Sequence, residues 1–422
     1  MKICSGDCSN IRPMIPKHKS ILIIGANFSG LTAALQLPKT CDVTVVDPSP
    51  NFEWIPGIHE ILSGVKTPQG LRLDRADIIA RAGHRFVQDL VTRIDARKRR
   101  VTLAGGDTLN FDAAIVAVGG IGNSYQIPGV DSHTWPFRTV ADSQAIEQRM
   151  NTLQQKPAPL QVVVVGGGLS GIEALGELLR RYRHRPEISF AMVEASTQLM
   201  PGFPKTLDAD LHMICQEHRV SFHTGESVAR VTPQGVWLAS GKRLPSALTI
   251  WAAGLAPPPL LREAKLIRSP HTWAAVHQTL QSRYAPSIFV VGDAAALPKP
   301  VSKQAFNAID MGAVAAYNVT RWLADQSLKD FKPPATPLLL AFGDLQTYMI
   351  AGKTVLASKT LAGAKEGVYQ LFMAQTAPQP GLQGVPSALR RRRKSWKELV
   401  VPGLLSLKDF RATSDCRPLK LL

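Results

Sequence analysis

The hydrophobic and polar positions of this chain repeat one plan in two separate stretches. In the first stretch, an apolar run at 21–24 ends at Gly25, a helical pattern follows as far as Pro38, and a β-branched run at 43–46 ends at Asp47. Short apolar runs predict buried strands, whereas apolar residues three and four positions apart predict an amphipathic helix. The order of strand, turn, helix and strand is typical of the first half of a dinucleotide-binding unit.

The second stretch follows the same order with different residues. It has a strand at 161–165, a turn at 166–171, a helix at 172–181 and a second strand at 188–193, which ends at Glu194. The pattern therefore indicates an internal repeat of architecture rather than of sequence. Further strands, one helix and a hairpin are predicted, in chain order, at 85–111, 113–118, 248–252, 288–291, 305–323 and 345–357.

Composition and charge narrow the class of protein. Hydrophobic residues make up 45% of the 422 positions and charged residues 19%, a balance typical of a folded globular protein. No apolar run approaches the roughly 18 residues that span a bilayer, and residues 1–17 lack the apolar core of a signal peptide, so we expect a flexible leader and a cytoplasmic protein. The formal net charge of +17 predicts an anionic partner, for which we expect a nucleotide or a lipid surface rather than nucleic acid.

The five cysteines are scattered, which argues against a disulfide scaffold and favours a reducing compartment. Cys4 and Cys8 have a spacing that could bind a metal, but no second pair completes a site, and we expect no metal. Because no cysteine pair follows the first predicted helix, disulfide reductase chemistry is not expected. Cys41 and Cys215 are each isolated in the sequence and are interpreted as buried bystanders.

Two glycine-rich turns are candidate sites for a pyrophosphate, which needs backbone N–H groups and room for close approach at a helix N-terminus. In the first turn, Asn27 stands where the second glycine is expected. Asn tolerates unusual backbone angles, and its side chain either displaces the phosphate or hydrogen-bonds it. The second turn fits G-x-G-x-x-G between a strand and a helix. The candidate residues are Gly25, Asn27, Phe28, Ser29 and Gly30 in the first turn, and Gly166, Gly168, Leu169 and Gly171 in the second.

An acidic residue that ends the second strand of each unit is a candidate acceptor of hydrogen bonds from ribose hydroxyls. Asp47 lies 22 positions after Gly25, and Glu194 lies 28 positions after Gly166, a longer interval that the basic insertion at 180–187 explains. Because a carboxylate at Glu194 repels a 2′-phosphate, we predict that NADH is preferred over NADPH. Two alternatives stay open: Glu194 is a solvated strand-end acid, or an arginine of the insertion accepts NADPH.

Four further motifs carry a family resemblance. They are 162–168 (VVVVGGG) with Gly171-Ile172-Glu173, 199–203 (LMPGF), 250–254 (IWAAG) and 289–295 (FVVGDAA). With them the chain resembles the pyridine-nucleotide-dependent flavoprotein superfamily, and within it the type II NADH dehydrogenases and the related ferroptosis suppressor proteins. The resemblance runs from about Ser20 to Leu323.

The resemblance implies an α/β fold of two Rossmann-like dinucleotide-binding domains, with the NAD domain inserted in the FAD domain, and a C-terminal α+β module. The FAD-binding domain would comprise 18–140 and 250–328, and the NAD(P)H-binding domain 141–249. The module would comprise 329–422. Within it, residues 331–422 contain fourteen Lys or Arg residues against five Asp or Glu residues, which is over half of the excess positive charge.

The resemblance also implies roles for residues of the FAD domain. Gly119 and Gly292 belong to FAD-binding signatures, and Asp293 would hydrogen-bond the FAD ribityl chain. The helix that begins at Ala305 would present its N-terminus to the isoalloxazine. The signature at 117–119 lacks its usual threonine.

Other implied roles concern the two substrates. Glu173 is the catalytic candidate and would lie near the nicotinamide, with a first-turn helix acid favoured by the helix dipole as the alternative. Gly254 belongs to the motif that closes the inserted domain. Trp54 would face the flavin ring, although it could equally be a core residue. Phe306 stands where type II dehydrogenases carry a glutamine that meets the quinone, so Trp54 and Phe306 are the candidate substrate-binding residues.

The function implied is an FAD-dependent oxidoreductase that takes a hydride from NADH, or from NADPH, and passes electrons to a quinone-like acceptor. Two alternatives stay open: a reductase of a small redox protein, as ferredoxin reductases are, and an apoptosis-inducing-factor-like, NADH-sensing flavoprotein. The basic cluster at 390–394 and the apolar residues at 396–410 are interpreted as a docking module for an anionic membrane, which would place the protein peripherally on its inner face. The alternative is a tail that packs on its own FAD domain or forms a homodimer contact.

Overall fold

The computed structural model describes residues 19–155, 159–334, 336–377 and 417–418. The predicted leader, with Cys4 and Cys8, lies outside the described residues, and so does the tail predicted to dock to a membrane. Within the described ranges, no helix combines the length and the apolar character needed to cross a bilayer.

The helices and strands of the described residues carry numbers in chain order. The α-helices are α1 (Phe28–Gln36), α2 (Glu60–Ser63), α3 (Arg75–Arg81), α4 (Val130–His133), α5 (Val140–Leu153), α6 (Leu169–Tyr182), α7 (Lys205–Cys215), α8 (Pro259–Glu263), α9 (Ala305–Leu323) and α10 (Leu361–Thr376). The strands are β1 (Ser20–Ile24), β2 (Asp42–Val46), β3 (Asn51–Glu53), β4 (Arg72–Asp74), β5 (Arg85–Val87), β6 (Val91–Asp95), β7 (Arg100–Leu103), β8 (Thr108–Asn110), β9 (Ala113–Val116), β10 (Ile121–Gly122), β11 (Trp135–Pro136), β12 (Leu160–Val165), β13 (Ile188–Glu194), β14 (Val220–Thr224), β15 (Val228–Thr232), β16 (Gly235–Leu238), β17 (Arg243–Pro245), β18 (Leu248–Trp251), β19 (Leu255–Ala256), β20 (Ala274–Ala275), β21 (Ile288–Val290), β22 (Ala295–Ala296), β23 (Leu338–Phe342), β24 (Gln346–Ala351), β25 (Thr354–Ala357) and β26 (Arg417–Pro418).

The chain divides into two compact units, of which the first comprises the residues as far as Phe52 together with Asp74–Ile121 and Ala256–Pro334. Its main sheet is parallel and has the strand order β21-β9-β1-β2-β5. The central strand β1 is an apolar run that is buried almost throughout, as expected for a parallel strand covered on both faces. The first unit also contains a three-stranded antiparallel sheet, β6-β7-β8.

Helices α1 and α9 of the first unit pack closely against each other because of one glycine. A Cβ atom on Gly312 of α9 would overlap the backbone carbonyl of Ser29 in α1. The absence of a side chain at Gly312 therefore lets the two backbones touch, which holds the beginning of α1 against α9.

The second unit comprises Glu53–Leu73, Gly122–Leu255 and the described residues from 336 onward. Its main sheet is also parallel, with the order β11-β18-β12-β13-β14, and it also has a three-stranded antiparallel sheet, β15-β16-β17. A further antiparallel sheet, β23-β24-β25-β26, comes from the C-terminal part of the chain. The predicted α/β fold with a repeated dinucleotide-binding architecture is confirmed.

Several elements of the second unit were not predicted from the sequence. Helices α5 and α7 and the strands β14 to β17 have short or polar-interrupted apolar patterns, and α10 is rich in Ala and Gly. Tertiary packing rather than local propensity therefore stabilises these segments. The predicted hairpin at 345–357 is confirmed as β24 and β25, and β23 extends it to a third antiparallel strand.

The contact between α6 and the start of the C-terminal sheet depends on two glycines. A Cβ atom on Gly176 would lie 2.5 Å from the backbone nitrogen of Gly343 and 2.6 Å from the carbonyl carbon of Phe342. Gly343 itself has a φ of +56°, and a Cβ atom there would overlap the carbonyl oxygen of Gly176. The two backbones thus meet without intervening side chains.

We predict that Gly176→Ala destabilises the protein by about 3 kcal/mol, because the new methyl group must displace backbone rather than a flexible side chain. Gly363 in α10 is the matched control, since a Cβ atom there meets nothing within 4 Å. Gly363→Ala should change the free energy of unfolding by less than about 1 kcal/mol, on the stabilising side. Urea unfolding measures both. Equal stability of the two variants would show that the backbone contact is not required.

Candidate functional site

The glycine turn of the first unit is shaped by backbone contacts. Gly25 has a φ of +87°, and its N–H donates to the carbonyl oxygen of Val46 at 2.8 Å. A Cβ atom on Gly30 would overlap the carbonyl oxygen of Gly25, so the first turn of α1 can approach the turn only with glycine at that position. The N-terminus of α1 is thereby aimed along the ends of β1 and β2, where its N–H groups favour an anion.

Asp47 holds this turn through its carboxylate. Its Oδ2 accepts from the N–H of Ala26 at 2.7 Å, and its Oδ1 accepts from the N–H of Ser49 at 2.9 Å. The guanidinium of Arg75 forms a buried ion pair with Oδ1 at 2.5 Å. Sequence reasoning predicted Asp47 but missed Arg75, because nothing around Arg75 in the sequence marks a buried arginine.

Asn27 occupies the N-cap position of α1. Its φ is −90° and its ψ is −145°, a combination outside the helical and extended regions, so the tolerance of Asn for unusual backbone angles suits this position. Its side chain makes no capping hydrogen bond to α1. The sequence offered two roles for the Asn27 side chain, a hydrogen bond to a phosphate or displacement of the phosphate, and both remain predictions.

The turn of the second unit repeats this geometry. The N–H of Gly166 donates to the carbonyl oxygen of Val193 at 2.8 Å, and a Cβ atom on Gly171 would overlap the carbonyl oxygen of Gly166. Glu194 takes the place of Asp47: its Oε2 accepts from the N–H of Gly167 at 2.7 Å and its Oε1 from the N–H of Ser196 at 2.8 Å. Helix α6 then begins at Leu169, as α1 begins at Phe28.

Gly168 differs from the other glycines of this turn because the protein itself does not require it. Its φ is −80°, which any residue adopts, and a Cβ atom there would meet nothing within 4 Å. Gly168 is the N-cap residue of α6, so the absence of neighbours around it leaves open space directly before the helix N-terminus. This space fits the close approach of a pyrophosphate to the backbone.

The segment before α9 lies against the glycine turn of the first unit. Residues 292–294 form a 3₁₀ turn in which Gly292 has a φ of +65°, and a Cβ atom there would lie 2.9 Å from Oγ of Ser29. Lys303 Nζ donates to the carbonyl oxygen of Asp293 and lies 3.1 Å from the ring centre of Trp273. Burial lowers the pKa of the Lys303 ammonium to about 8. Sequence reasoning predicted Gly292 and Asp293 but missed Lys303.

Helix α9 begins at Ala305, as predicted, with Gln304 as its N-cap and Phe306 in its first turn. Gly119 follows β9 with a φ of +62°, and Gly254 follows β18 with a φ of +70°. A Cβ atom on Gly254 would collide with the Tyr125 hydroxyl. Both glycines therefore occupy left-handed positions at strand ends.

Glu173 is the fifth residue of α6 and lies beyond its first turn, so the alternative of a first-turn acid favoured by the helix dipole is wrong. Its side chain lies within a largely buried ionic contact. Its Oε1 pairs with Nζ of Lys365 in α10 at 2.5 Å, and the N–H of Ala341 in β23 donates to the same oxygen at 3.4 Å. The Glu173 side chain is 15% exposed. Burial raises the pKa of Glu173, and the nearby Lys365 ammonium opposes that rise.

A second set of charges adjoins this pair around the short helix α2. Lys66 pairs with Glu366 at 2.5 Å and with Glu60 at 3.7 Å, and Ser63 donates to the buried carboxylate of Glu177. Burial raises the pKa of Glu60 to about 7, although Lys66 opposes the rise. Sequence reasoning singled out Glu173 alone, because its partners come from distant parts of the chain.

Trp54 is 4% exposed and belongs to an aromatic cluster of the second unit. Its ring centre lies 4.8 Å from that of Phe372 and 5.9 Å from that of Tyr369, both in α10. Nζ of Lys66 lies 4.0 Å from the ring centre of Tyr369. Trp54 is therefore well packed, which leaves its predicted role in substrate binding a prediction.

The isolated cysteines are buried, as interpreted from the sequence. Burial raises the pKa of Cys41 to about 11 and that of Cys215 to about 12. Thiols with such pKa values are poor nucleophiles at neutral pH.

Known proteins are similar to this chain over most of its length. A family model described as pyridine nucleotide-disulphide oxidoreductase matches residues 19–312. An NADH dehydrogenase-like protein of Mycobacterium tuberculosis is 29% identical over 347 residues, which cover 76% of this chain and 85% of that protein. A type II NADH:quinone oxidoreductase of Staphylococcus aureus is 22% identical over 376 residues, which cover 82% of this chain and 93% of that protein.

A solved structure supports the fold. The structure of NDH2 from Plasmodium falciparum in complex with NADH matches with a TM-score of 0.77 and 18% sequence identity. The match covers 85% of this chain and 95% of that chain.

The raised pKa of Glu60 predicts a fall in stability as the pH rises. The folded state keeps the Glu60 proton up to about pH 7, whereas the unfolded chain loses it near pH 4.5, so the folded state loses stability between these values. We expect Glu60→Gln to remove about 2 kcal/mol of this loss. Urea unfolding at pH 5 and pH 8 measures the effect, with the exposed Glu217→Gln as control. An unchanged difference between the two pH values in Glu60→Gln would contradict the prediction.

Proposed function

The chain belongs to the pyridine nucleotide-disulphide oxidoreductase family, and we propose that it is an FAD-dependent NADH:quinone oxidoreductase. The observation that carries this proposal is the pair of turns with matching backbone geometry, each pinned by a strand-end carboxylate. One chain with two such turns suits two dinucleotides, one bound as cofactor and one as substrate. FAD, when bound, supplies the redox chemistry, while the protein provides binding, orientation and electrostatics.

In the first unit, the residues present fit a bound FAD. The N-terminus of α1, with Ser29 and Gly30 in its first turn, would face the anionic pyrophosphate. Asp47 is held by three donors, yet its oxygens have further lone pairs for ribose hydroxyls. Asp293 and the N-terminus of α9 adjoin the same turn and would hold the rest of the cofactor, with Gly119 at the neighbouring strand end.

In the second unit, the same reasoning assigns NADH. A Cβ atom on Gly168 would meet nothing within 4 Å, so open space before α6 could hold a pyrophosphate, and Gly166 and Gly171 shape the turn beside it. The carboxylate of Glu194 is oriented by two backbone N–H groups and would accept from the adenosine ribose. Gly254 lies at the neighbouring strand end.

Glu173 and Lys365 supply the proton chemistry that a quinone needs. Because NADH delivers a hydride equivalent, reduction of a quinone to a quinol needs one further proton, which a group near the acceptor can supply. Glu173 Oε1 can hold a proton because burial raises its pKa, and the Lys365 ammonium beside it is a second donor. The aromatic side chains of Trp54, Tyr369 and Phe372 pack against one another in the same unit and would form an apolar wall beside a quinone ring. In the first unit, Phe306 in the first turn of α9 is the other candidate substrate-binding residue.

A second candidate function is the reduction of a small acidic redox protein. The formal net charge of +17 favours it, because a strongly basic surface attracts an acidic partner. The same charge suits an anionic membrane that contains the quinone. We propose that the C-terminal residues contact such a membrane peripherally, on its inner face.

Steady-state oxidation of NADH tests the proposed function. With a soluble short-chain quinone, we expect turnover about tenfold or more above that with ferredoxin plus cytochrome c. The opposite ranking would favour the second candidate. Slow oxidation with every acceptor, despite bound flavin, would indicate a sensing protein instead.

Glu194→Gln is predicted to weaken the preference for NADH over NADPH. The amide oxygen can still accept from the N–H of Gly167, whereas the charge that repels a 2′-phosphate is gone. We expect the ratio of the two kcat/KM values to fall about tenfold, mainly through a gain with NADPH. Glu217→Gln, an exposed acid elsewhere, should leave the ratio unchanged. Comparable efficiency with both coenzymes in the unmodified protein, unaltered in Glu194→Gln, would rule out this role.

A further inference from the structure

His59 is a buried histidine that contacts both members of the Glu173–Lys365 pair. It precedes α2 directly and is 1% exposed. Its Nε2 lies 3.2 Å from Nζ of Lys365, and its Nδ1 lies 3.6 Å from Oε2 of Glu173. The imidazole therefore bridges an ion pair whose two members come from α6 and α10.

The chemistry of the two partners decides which form of the imidazole fits. A lysine ammonium has only N–H donors, so the ring nitrogen that faces Lys365 must be an unprotonated acceptor. The proton of the neutral ring then lies on Nδ1, which faces a carboxylate oxygen of Glu173. One tautomer thus satisfies both neighbours, and the charged form would place an N–H against the ammonium.

The surrounding charges favour this neutral form. Lys365 approaches the ring from α10, Lys66 from the segment after α2, and Glu173 from α6. Burial lowers the pKa of His59 well below its usual value, and the two lysines lower it further. His59 is therefore an uncharged hydrogen-bonding group over the whole range in which the enzyme would work.

We propose that His59 is a positioning residue for acceptor reduction: by accepting a hydrogen bond from Lys365, it keeps the ammonium against the carboxylate of Glu173. The proposal rests on the proposed role of the Glu173–Lys365 pair as a proton store. His59 itself gives up no proton to the acceptor. It fixes the direction of a long, flexible side chain that could otherwise turn toward other acids.

The consequence of losing His59 concerns the protonation of Glu173. The Lys365 ammonium opposes the rise in the pKa of Glu173 that burial causes. When Lys365 is no longer held in place, Glu173 keeps its proton to a higher pH. In a plot of quinone-dependent kcat against pH, the limb that reports the protonation of Glu173 should then move to higher pH.

Two variants separate positioning from bulk. Gln at position 59 offers an oxygen to Lys365 and an N–H to Glu173, whereas Leu offers neither. In His59→Leu, we expect the limb of quinone-dependent kcat to move upward by about one pH unit, while the rate of anaerobic flavin reduction by NADH stays within about twofold. His59→Gln should restore the original limb. In a Lys365→Met background, His59→Leu should produce no further shift, because the partner is absent.

A direct measurement tests the contact without relying on turnover. In protein labelled with ¹⁵N-histidine, the signals that disappear in His59→Gln belong to His59 and report its tautomer. We expect Nε2 to be unprotonated and Nδ1 protonated from pH 6 to pH 9, and we expect Lys365→Met to change the Nε2 shift. This readout remains valid if quinone is not the acceptor, so failure of the proposed function is distinguishable. A protonated Nε2, or superimposable pH profiles of His59→Leu and the unmodified protein, would overturn the proposal.

Discussion

The structure depends on one close backbone contact that occurs twice. In each unit, the carbonyl oxygen of the first turn glycine occupies the space where the last turn glycine would carry a Cβ atom. This contact brings the helix N-terminus to the end of the central strand, and the strand-end acid, Asp47 or Glu194, secures the turn through a backbone N–H. A larger residue at Gly30 or Gly171 would force the helix away, and the phosphate-binding face would be lost. The pyrophosphate site is therefore a product of packing as much as of sequence motif.

The second unit adds a constraint of a different kind, which is the burial of charge. Isolated buried charges are costly, and each one here is compensated by a partner from another element. Glu173 of α6 meets Lys365 of α10, and His59 bridges them. The C-terminal part of the chain thus completes a site that the nucleotide-binding part begins. Helix α10 carries two glycines near Lys365, which weaken a helix. Its side-chain contacts, which include those of Tyr369 and Phe372 with Trp54, help to hold it in place.

Sequence reasoning predicted the two glycine turns and their strand-end acids, and it missed the partners that Glu173 finds far along the chain. Both turns, their strands and helices, and the acids Asp47 and Glu194 could be predicted because each depends on residues within about thirty positions, with strong apolar runs on either side. The partners of Glu173 could not, since Lys365 lies 192 positions away and nothing in its own neighbourhood marks it. Arg75 and Lys303 lie only 28 and 10 positions from their partners Asp47 and Asp293, and they were missed because nothing in the residues around them marks these contacts. The unusual backbone angles that Asn27 was expected to tolerate are present, with a φ of −90° and a ψ of −145°.

We propose that this chain binds FAD in the first unit and accepts a hydride from NADH bound in the second. Anaerobic titration of the purified protein with NADH, followed by the visible spectrum, tests the claim most directly. The account predicts one non-covalent flavin per chain and rapid bleaching of its absorbance that is complete near one equivalent of NADH. A protein that releases no flavin on denaturation even after reconstitution, or a bound flavin that excess NADH leaves oxidised, would contradict it.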